Sequence, residues 1–480
     1  MQTFLSAKFA KVLLLIIPEN LTNSDTDLRA SLNLFTNPAY NLTGKNSQAT
    51  EGKELSRQMT PHKTILSNGL RVVSEHIPSA QSFALGVWID AGSRDEQTGQ
   101  HGMVHFIEHL VFRGTAKRTS KQIANELESV GGYINAFTTK DHTCYYTRAL
   151  TEHFALSLDM LADICVHPLF RPNDITKERG IIKEEIKSLQ DEAEELITDH
   201  LDELLFGRHP YAHPISGTTT SLAKIRKADI HAFHREHYTA DRIVIAAAGN
   251  IEHEDICRRV ELLFAGIPVG DAKKMPQQNG SQQDSPTRLF AKPLRRTARM
   301  KEYALPTQQT HLCMGTLLPA PTDAEFYTLS ALNVVLGDGM SSRLNQVIRE
   351  KHGLCYNIYS GTSEIGESLI MSIYAGFEAA QRGKVETLIS AELKKLLDKP
   401  ITKQELQRAK EQLKSSLIIG LESLSGRMTL LAKSELYLGE FEAIEEKIRK
   451  IDTVTADDIQ RLAYQYLSPD DWHKAVIVQK

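Results

Sequence analysis

Cysteine is scarce in this 480-residue chain: there are five, Cys144, Cys165, Cys257, Cys313 and Cys355, odd in number, scattered, and never in a Cys-x-x-Cys pair. That pattern excludes a disulfide-built secreted framework, a paired-cysteine metal chelate and a dithiol redox couple. Reduced core cysteines fit an interior compartment. The cytoplasm is therefore expected, with a periplasmic, secreted or mitochondrial-matrix location left open. Charge of one sign is scarce too: 56 Lys and Arg against 60 Asp and Glu leave a net charge of −4. Without a basic excess or a reading motif, a nucleic-acid partner is excluded. Long apolar runs are missing as well. The nearest, Lys11-Val-Leu-Leu-Leu-Ile-Ile-Pro18, has an uninterrupted core of six residues, shorter than a signal-peptide core or a membrane span. Glycine-rich loops are equally poor: Gly337-Asp-Gly-Met-Ser-Ser-Arg-Leu344 lacks the closing Gly-Lys-Ser/Thr of a phosphate loop, which sets nucleotide binding aside.

What is present fits a large globular protein. Hydrophobic residues make up 41% and charged residues 24%, and the length exceeds what one hydrophobic core supports, so two or more domains are expected. Residues 1–58 read as an N-terminal extension, either disordered or upstream of a native start at Met59. Ser24 to Ser56 is polar, carries Asp25, Asp27 and Glu51 with a single Arg, and so matches an arginine-rich mitochondrial presequence poorly; a weak secretion signal is the alternative. Gly, Pro, Gln and Ser crowd the stretch from Gly266 to Ala291, as in a linker. The expected division is a metal-binding domain over 59–270, a linker over 271–290 and a second domain over 291–480. Each half reads alike, with an apolar strand (84–89; 311–318), a helix, a hairpin-like region and a long charged helical stretch (178–206; 403–422). An internal duplication follows.

The chemistry concentrates in His105-Phe-Ile-Glu-His109. On a helix His105 and His109 share a face with Glu108 beside them, so two imidazoles and a carboxylate converge. A second carboxylate, Glu185, stands 76 positions past His109 (185 − 109 = 76). Two neutral imidazoles and a distant carboxylate suit zinc, with one carboxylate left over as a base. A His-x-x-x-His pair also occurs on solvated helix faces. Here the stretch from His101 to Thr115 is apolar between its polar residues, as in a buried helix, where ionisable groups need partners.

The inverted order His-x-x-Glu-His is the inverzincin signature, and the chain resembles the pitrilysin/insulinase superfamily of zinc peptidases. The likeness is greatest to the mitochondrial processing peptidase β-subunit and its single-chain bacterial relatives. It runs from Met59 to Lys480 over six blocks: 66–73, Ala91-Gly-Ser-Arg-Asp-Glu96, the metal helix, Gly131-Gly-Tyr-Ile-Asn-Ala-Phe137, Glu178-Arg-Gly-Ile-Ile-Lys-Glu-Glu185 and Arg349-Glu-Lys-His-Gly-Leu-Cys-Tyr356. The resemblance implies an α+β fold of two homologous domains, each a mainly antiparallel sheet packed with helices, facing across a central cavity. It implies a zinc-dependent endopeptidase acting on unfolded peptides or presequence-like segments, with one Zn2+ per chain held by His105, His109 and Glu185, and Glu108 as general base. Glu178, two helical turns before Glu185, would assist from behind the ligands; Glu184 should point away.

Further roles follow from the same likeness. Asn135 and Ala136 lie on the strand that pairs with extended substrate, or else on a strand serving only the sheet. Arg349 and Tyr356, donors suited to a developing oxyanion, would complete the centre from the second half. Glu195 and Asp199 match positions that hold a basic substrate residue, against the alternative of a solvated helix face. A homodimer is the economical assembly. The competing function is a catalytically inactive scaffold or complex subunit, although such relatives lose metal residues that are all present here.

Overall fold

The computed structural model describes residues 61–270, 299–366 and 368–480, so the extension over 1–58 and the expected linker lie outside the described residues. The first half holds strands β1 (His62–Ile65), β2 (Arg71–His76), β3 (Ser82–Ile89), β4 (Tyr133–Thr138), β5 (Thr143–Leu150) and β6 (Ile243–Gly249), in the spatial order β1-β2-β6-β3-β5-β4. The second holds β7 (Met300–Leu305), β8 (Thr310–Leu318), β9 (Cys355–Ile365), β10 (Ser368–Phe377) and β11 (His473–Gln479), ordered β7-β11-β8-β10-β9. Apart from β1 the two orders coincide. Even the parallel pairing recurs, β2 with β6 and β7 with β11, in sheets otherwise antiparallel. The repeat in topology is what a duplicated α+β unit produces.

Helices alternate with the strands. In the first half they are α1 (Met103–Val111), α2 (Ser120–Glu128), α3 (Phe154–Val166), α4 (Pro172–Gln190), α5 (Ala193–Phe206), α6 (Thr219–Lys224), α7 (Lys227–His237) and α8 (His253–Leu263). The second half adds α9 (Asp323–Leu336), a π-helical turn (Asn345–Lys351), α10 (Arg382–Asp398), α11 (Lys403–Gly420), α12 (Leu424–Lys433), α13 (Ile444–Thr453) and α14 (Ala456–Tyr466). Local sequence sets their starts: Thr119, Thr322 and Thr402 cap their helices, with Gln122, Glu325 and Glu405 closing capping boxes, and Pro172 stands in the first turn of α4. Among the described residues no helix is long and apolar enough to cross a membrane.

Each sheet buries one face under helices of its own half. For the first sheet that core joins Leu85, Val87 and Ile245 to Phe106, Leu110, Leu161 and Ile256. The opposite faces are covered reciprocally. Helix α5 leaves the first half and packs on β8 and β11, placing Ile197, Leu201 and Leu205 against Cys313, Tyr374 and Ile477. Helix α12 returns the contact, setting Met428, Leu431 and Ala432 on Val73, Trp88 and Ala246. A glycine receives each visitor: a Cβ on Gly315 would meet Leu201 at 2.7 Å, and one on Gly86 would meet Met428 Sδ at 3.1 Å.

This exchange explains one departure from the sequence reading. The helical stretch expected over 178–206 is two helices, broken where Asp191 caps α4 and Glu192 leaves helical geometry (φ −104°, ψ 76°). The break redirects the chain from its own half toward the other. Once across, Glu194 accepts hydrogen bonds from Asn357 Nδ2 (3.3 Å) and Tyr359 Oη (3.1 Å). Ion pairs on the return side, Arg427 with Glu75 (2.5 Å) and Lys63 with Glu435 (2.7 Å), also span the halves.

Truncating Leu201, 1% exposed at the heart of this contact, to Ala should cost about 2–5 kcal/mol of unfolding free energy through lost burial and a residual cavity. Denaturant midpoints of the two full-length chains would measure it, and a change below about 0.5 kcal/mol would mean the crossed helix carries no stability.

Candidate metal centre

Helix α1 presents two chemically distinct faces. Met103, Phe106, Ile107, Leu110 and Val111 recur at helical spacing and are buried in the first-half core, leaving His105, Glu108 and His109 on the face toward α4. Its start is fixed by Glu96. The Glu96 carboxylate, fully enclosed, accepts from the backbone N–H groups of Gly102 and Val104 at 2.9 Å each, while Gly102 takes the left-handed φ of +91° that the chain needs there. Helix α4 buries Ile175, Glu178 and Ile182 against α1 and leaves Glu185 half exposed.

The structure brings His105, His109 and Glu185 together. His105 Nε2 lies 3.7 Å from Glu185 Oε1 and His109 Nε2 lies 3.8 Å from Glu185 Oε2, and one ligand atom from each of the three falls within 4.8 Å of the others. The imidazole rings stand edge to face with centroids 4.6 Å apart. Separations of 3.7–3.8 Å are too long for hydrogen bonds. They are near the edge of a tetrahedron whose corners sit ~2.1 Å from an ion, about 3.4 Å. The donor set therefore fits a tetrahedral divalent metal with one corner open.

Electrostatics agree with that fit. Burial, helped by the charge on His109, depresses the His105 pKa to about 3, which keeps this imidazole neutral as a ligand must be. Burial alone would lower His109 too, but its hydrogen bond to Glu178 and the charges of Glu108 and Glu185 outweigh burial and raise it. Three carboxylates thus surround one imidazole, a field that favours a cation. Glu108 is raised mainly by burial, against the opposing pull of its Thr138 hydrogen bond and of His109; Glu185 is raised by burial against His109.

The supporting shell is partly as expected and partly new. Glu178 Oε2 pairs with His109 Nδ1 at 3.1 Å, and its other oxygen is ion-paired with the guanidinium of Arg113. Glu184 points to solvent and pairs with Lys187 (2.6 Å). Thr138 Oγ1 donates to Glu108 Oε2 at 2.5 Å from β4. Thr138, Arg113 and Glu96 carry roles that sequence reasoning did not assign, although Glu96 and Arg113 lie within stretches singled out there and Thr138 directly follows one.

Other expected residues fall around the centre. Asn135 and Ala136 lie on β4, the outer strand of the first sheet, where the Ala136 N–H donates to Asn135 Oδ1 at 2.8 Å and Asn135 Nδ2 donates to Tyr133 Oη at 2.6 Å. Glu195 and Asp199 lie on α5; burial raises the Asp199 pKa to about 6, with Lys140 opposing and Asp202 and Glu195 adding to it. Arg349, in the π-helical turn, stacks over the Tyr356 ring at 5.4 Å, and Tyr356 is 67% exposed at the start of β9. Among the described residues no hydrogen bond or ion pair joins Arg349 or Tyr356 to His105, Glu108, His109 or Glu185.

Known proteins resemble this chain in sequence and in fold. Residues 71–219 match the family described as insulinase (peptidase family M16), and residues 224–413 match the peptidase M16 inactive domain. An uncharacterized zinc protease of Bacillus subtilis is 36% identical over 404 residues, 84% of this chain and 95% of the relative. One of Mycobacterium leprae is 35% identical over 429 residues, 88% of this chain and 94% of the relative. In fold, the chain resembles a protease from Helicobacter pylori and the peptidase M16 inactive domain from Pseudomonas fluorescens, each with a TM-score of 0.78 and 22% identity, covering 88% of this chain and 99% of that one. The chain belongs to the insulinase family of peptidases, M16.

Replacing Glu96 by Ala would leave two buried N–H groups at the start of α1 without acceptors. A loss on the order of 2 kcal/mol is expected in the metal-free chain, measured by urea denaturation, and an unchanged midpoint would deny Glu96 its capping role.

Proposed function

We propose that the chain is a zinc-dependent metalloendopeptidase that hydrolyses peptide bonds in unfolded peptides or presequence-like segments, with one zinc per chain. The observation that carries this is the convergence of two imidazole Nε2 atoms and the Glu185 carboxylate at near-tetrahedral spacing, with Glu108 beside them. The zinc-protease names of the relatives support the choice of metal. When bound, zinc supplies a Lewis acid that polarises water and carbonyl oxygen.

The chain's own residues do the rest. Glu108, held through one oxygen by Thr138, keeps its other oxygen to take a proton from the attacking water and return it to the departing amine. Its raised pKa suits a group that must both accept and release that proton. An extended peptide would add as a strand beside β4, displacing Asn135 from the Ala136 N–H and using that donor for its own carbonyl. Glu195 and Asp199 would receive a basic substrate side chain. Tyr356, exposed, and the half-buried Arg349, neither joined among the described residues to the metal ligands of its own chain, would act in a cavity formed with a second copy, so that in this reading a homodimer is the working unit.

Glu108→Gln should retain zinc and lose turnover by about 10^2–10^4-fold. A wild-type chain with far less than one zinc by elemental analysis, and no chelator-sensitive cleavage of an unfolded peptide library, would overturn the enzyme reading in favour of an inactive scaffold. Mapping cleavage sites by mass spectrometry tests the acidic pocket: enrichment of Arg near the cut supports Glu195 and Asp199, and indifference to charge removes it.

A further inference from the structure

We propose that Arg113 is a positioning residue of the metal centre: its guanidinium fixes the Glu178 carboxylate and, through it, the orientation and tautomer of the His109 ring. The inference rests on the zinc reading above. Glu178 is 2% exposed and has its two oxygens divided, Oε1 toward Arg113 and Oε2 toward His109 Nδ1 at 3.1 Å. An ion pair at one oxygen restrains the carboxylate and so favours the second oxygen's place beside the imidazole. With Nδ1 so engaged as the protonated nitrogen, Nε2 is the atom left to face Glu185.

The second half supplies an internal comparison. There Arg343 pairs with Glu405 as a two-point fork, Nε to Oε1 at 2.7 Å and Nη2 to Oε2 at 3.1 Å. The positions correspond through the duplication. Glu185 follows Glu178 by seven residues on α4 as Gln412 follows Glu405 on α11 (185 − 178 = 412 − 405 = 7), and Glu108 precedes Arg113 by five as Asp338 precedes Arg343 (113 − 108 = 343 − 338 = 5).

Thus Gln412 stands where the first half has a metal ligand and Asp338 where it has Glu108, and the two close on each other, Gln412 Nε2 donating to Asp338 Oδ2 at 3.2 Å. Gly339 takes the place of His109. The arginine–glutamate pair survives where the ligands are gone, so in both halves it ties a long helix to the segment ahead of it. What differs is its form. Without an imidazole to serve, both Glu405 oxygens reach the arginine, Oε2 also closing the Thr402 capping box (2.8 Å to the Thr402 N–H); beside His109, one Glu178 oxygen meets the ring instead.

Zinc affinity by chelator competition on full-length chains separates this role from a merely structural one. Arg113→Met should weaken zinc binding about 10–100-fold, Arg113→Lys should restore part of it, and Arg343→Met should bind zinc like the wild type although both methionine variants lower the melting temperature of the metal-free chain. Wild-type affinity in Arg113→Met, or an equal loss of affinity in Arg343→Met, overturns the proposal. Should Arg113→Met fail to fold, Arg113→Lys alone decides, since an affinity equal to wild type sinks it. A wild-type chain that binds no zinc overturns the enzyme reading itself, a result distinct from either.

Discussion

Apolar side chains of α5 and α12, each buried against the sheet of the opposite half, are the contact on which the rest of the molecule depends. Neither sheet could leave its second face in water: Trp88, Ala246 and Val73 on one, Cys313, Tyr374 and Ile477 on the other, would expose a contiguous apolar patch. Each half supplies the missing layer of its neighbour, so neither sheet is fully covered by its own half. Chain continuity carries this to the metal centre. Helix α5 is joined to α4 by two residues, so anchoring α5 on β8 and β11 fixes the end of the helix that bears Glu178 and Glu185. The turn after β4 is held likewise: Asp141 Oδ2 accepts from Gly366 N at 3.2 Å and His142 Nδ1 meets Tyr437 Oη at 2.5 Å, both from the second half. Thr138, one strand-end away, inherits that fixity when it grips Glu108.

The centre itself is a balance between burial and charge. Burial drives His105 toward neutrality and Glu108 and Glu185 toward protonation, while the carboxylates around His109 pull in the opposite sense. A divalent cation would resolve the conflict, because it would satisfy the carboxylate and both imidazoles at once. Arg113 neutralises part of the negative charge from outside the ligand set without occupying it.

Much of the centre was legible because helical geometry is local. The four-residue spacing of His105 and His109 puts both on one face whatever the rest of the chain does, and seven residues put Glu178 and Glu185 on one face of α4 in the same way. The two-domain α+β organisation was legible for a similar reason, since the order of strand, helix and hairpin repeats. The crossing of α5 was not. Its amphipathic pattern is identical whichever sheet receives it, and only the break at Glu192 marks a change of direction. Thr138 escaped notice because its meaning depends on the placement of β4 against α1, a tertiary fact. Arg113, a charged residue just past a helix end, reads as solvated until the buried carboxylate opposite it is seen.

Strand β4 is an outer strand only six residues long, and its donor at Ala136 is already taken by the neighbouring Asn135 side chain. An edge able to accept a foreign peptide is by the same geometry able to accept a copy of itself, the first step of sheet-to-sheet aggregation. The Asn135 side chain occupies a donor that such edge pairing would use, and the six-residue length of β4 limits how far it could spread.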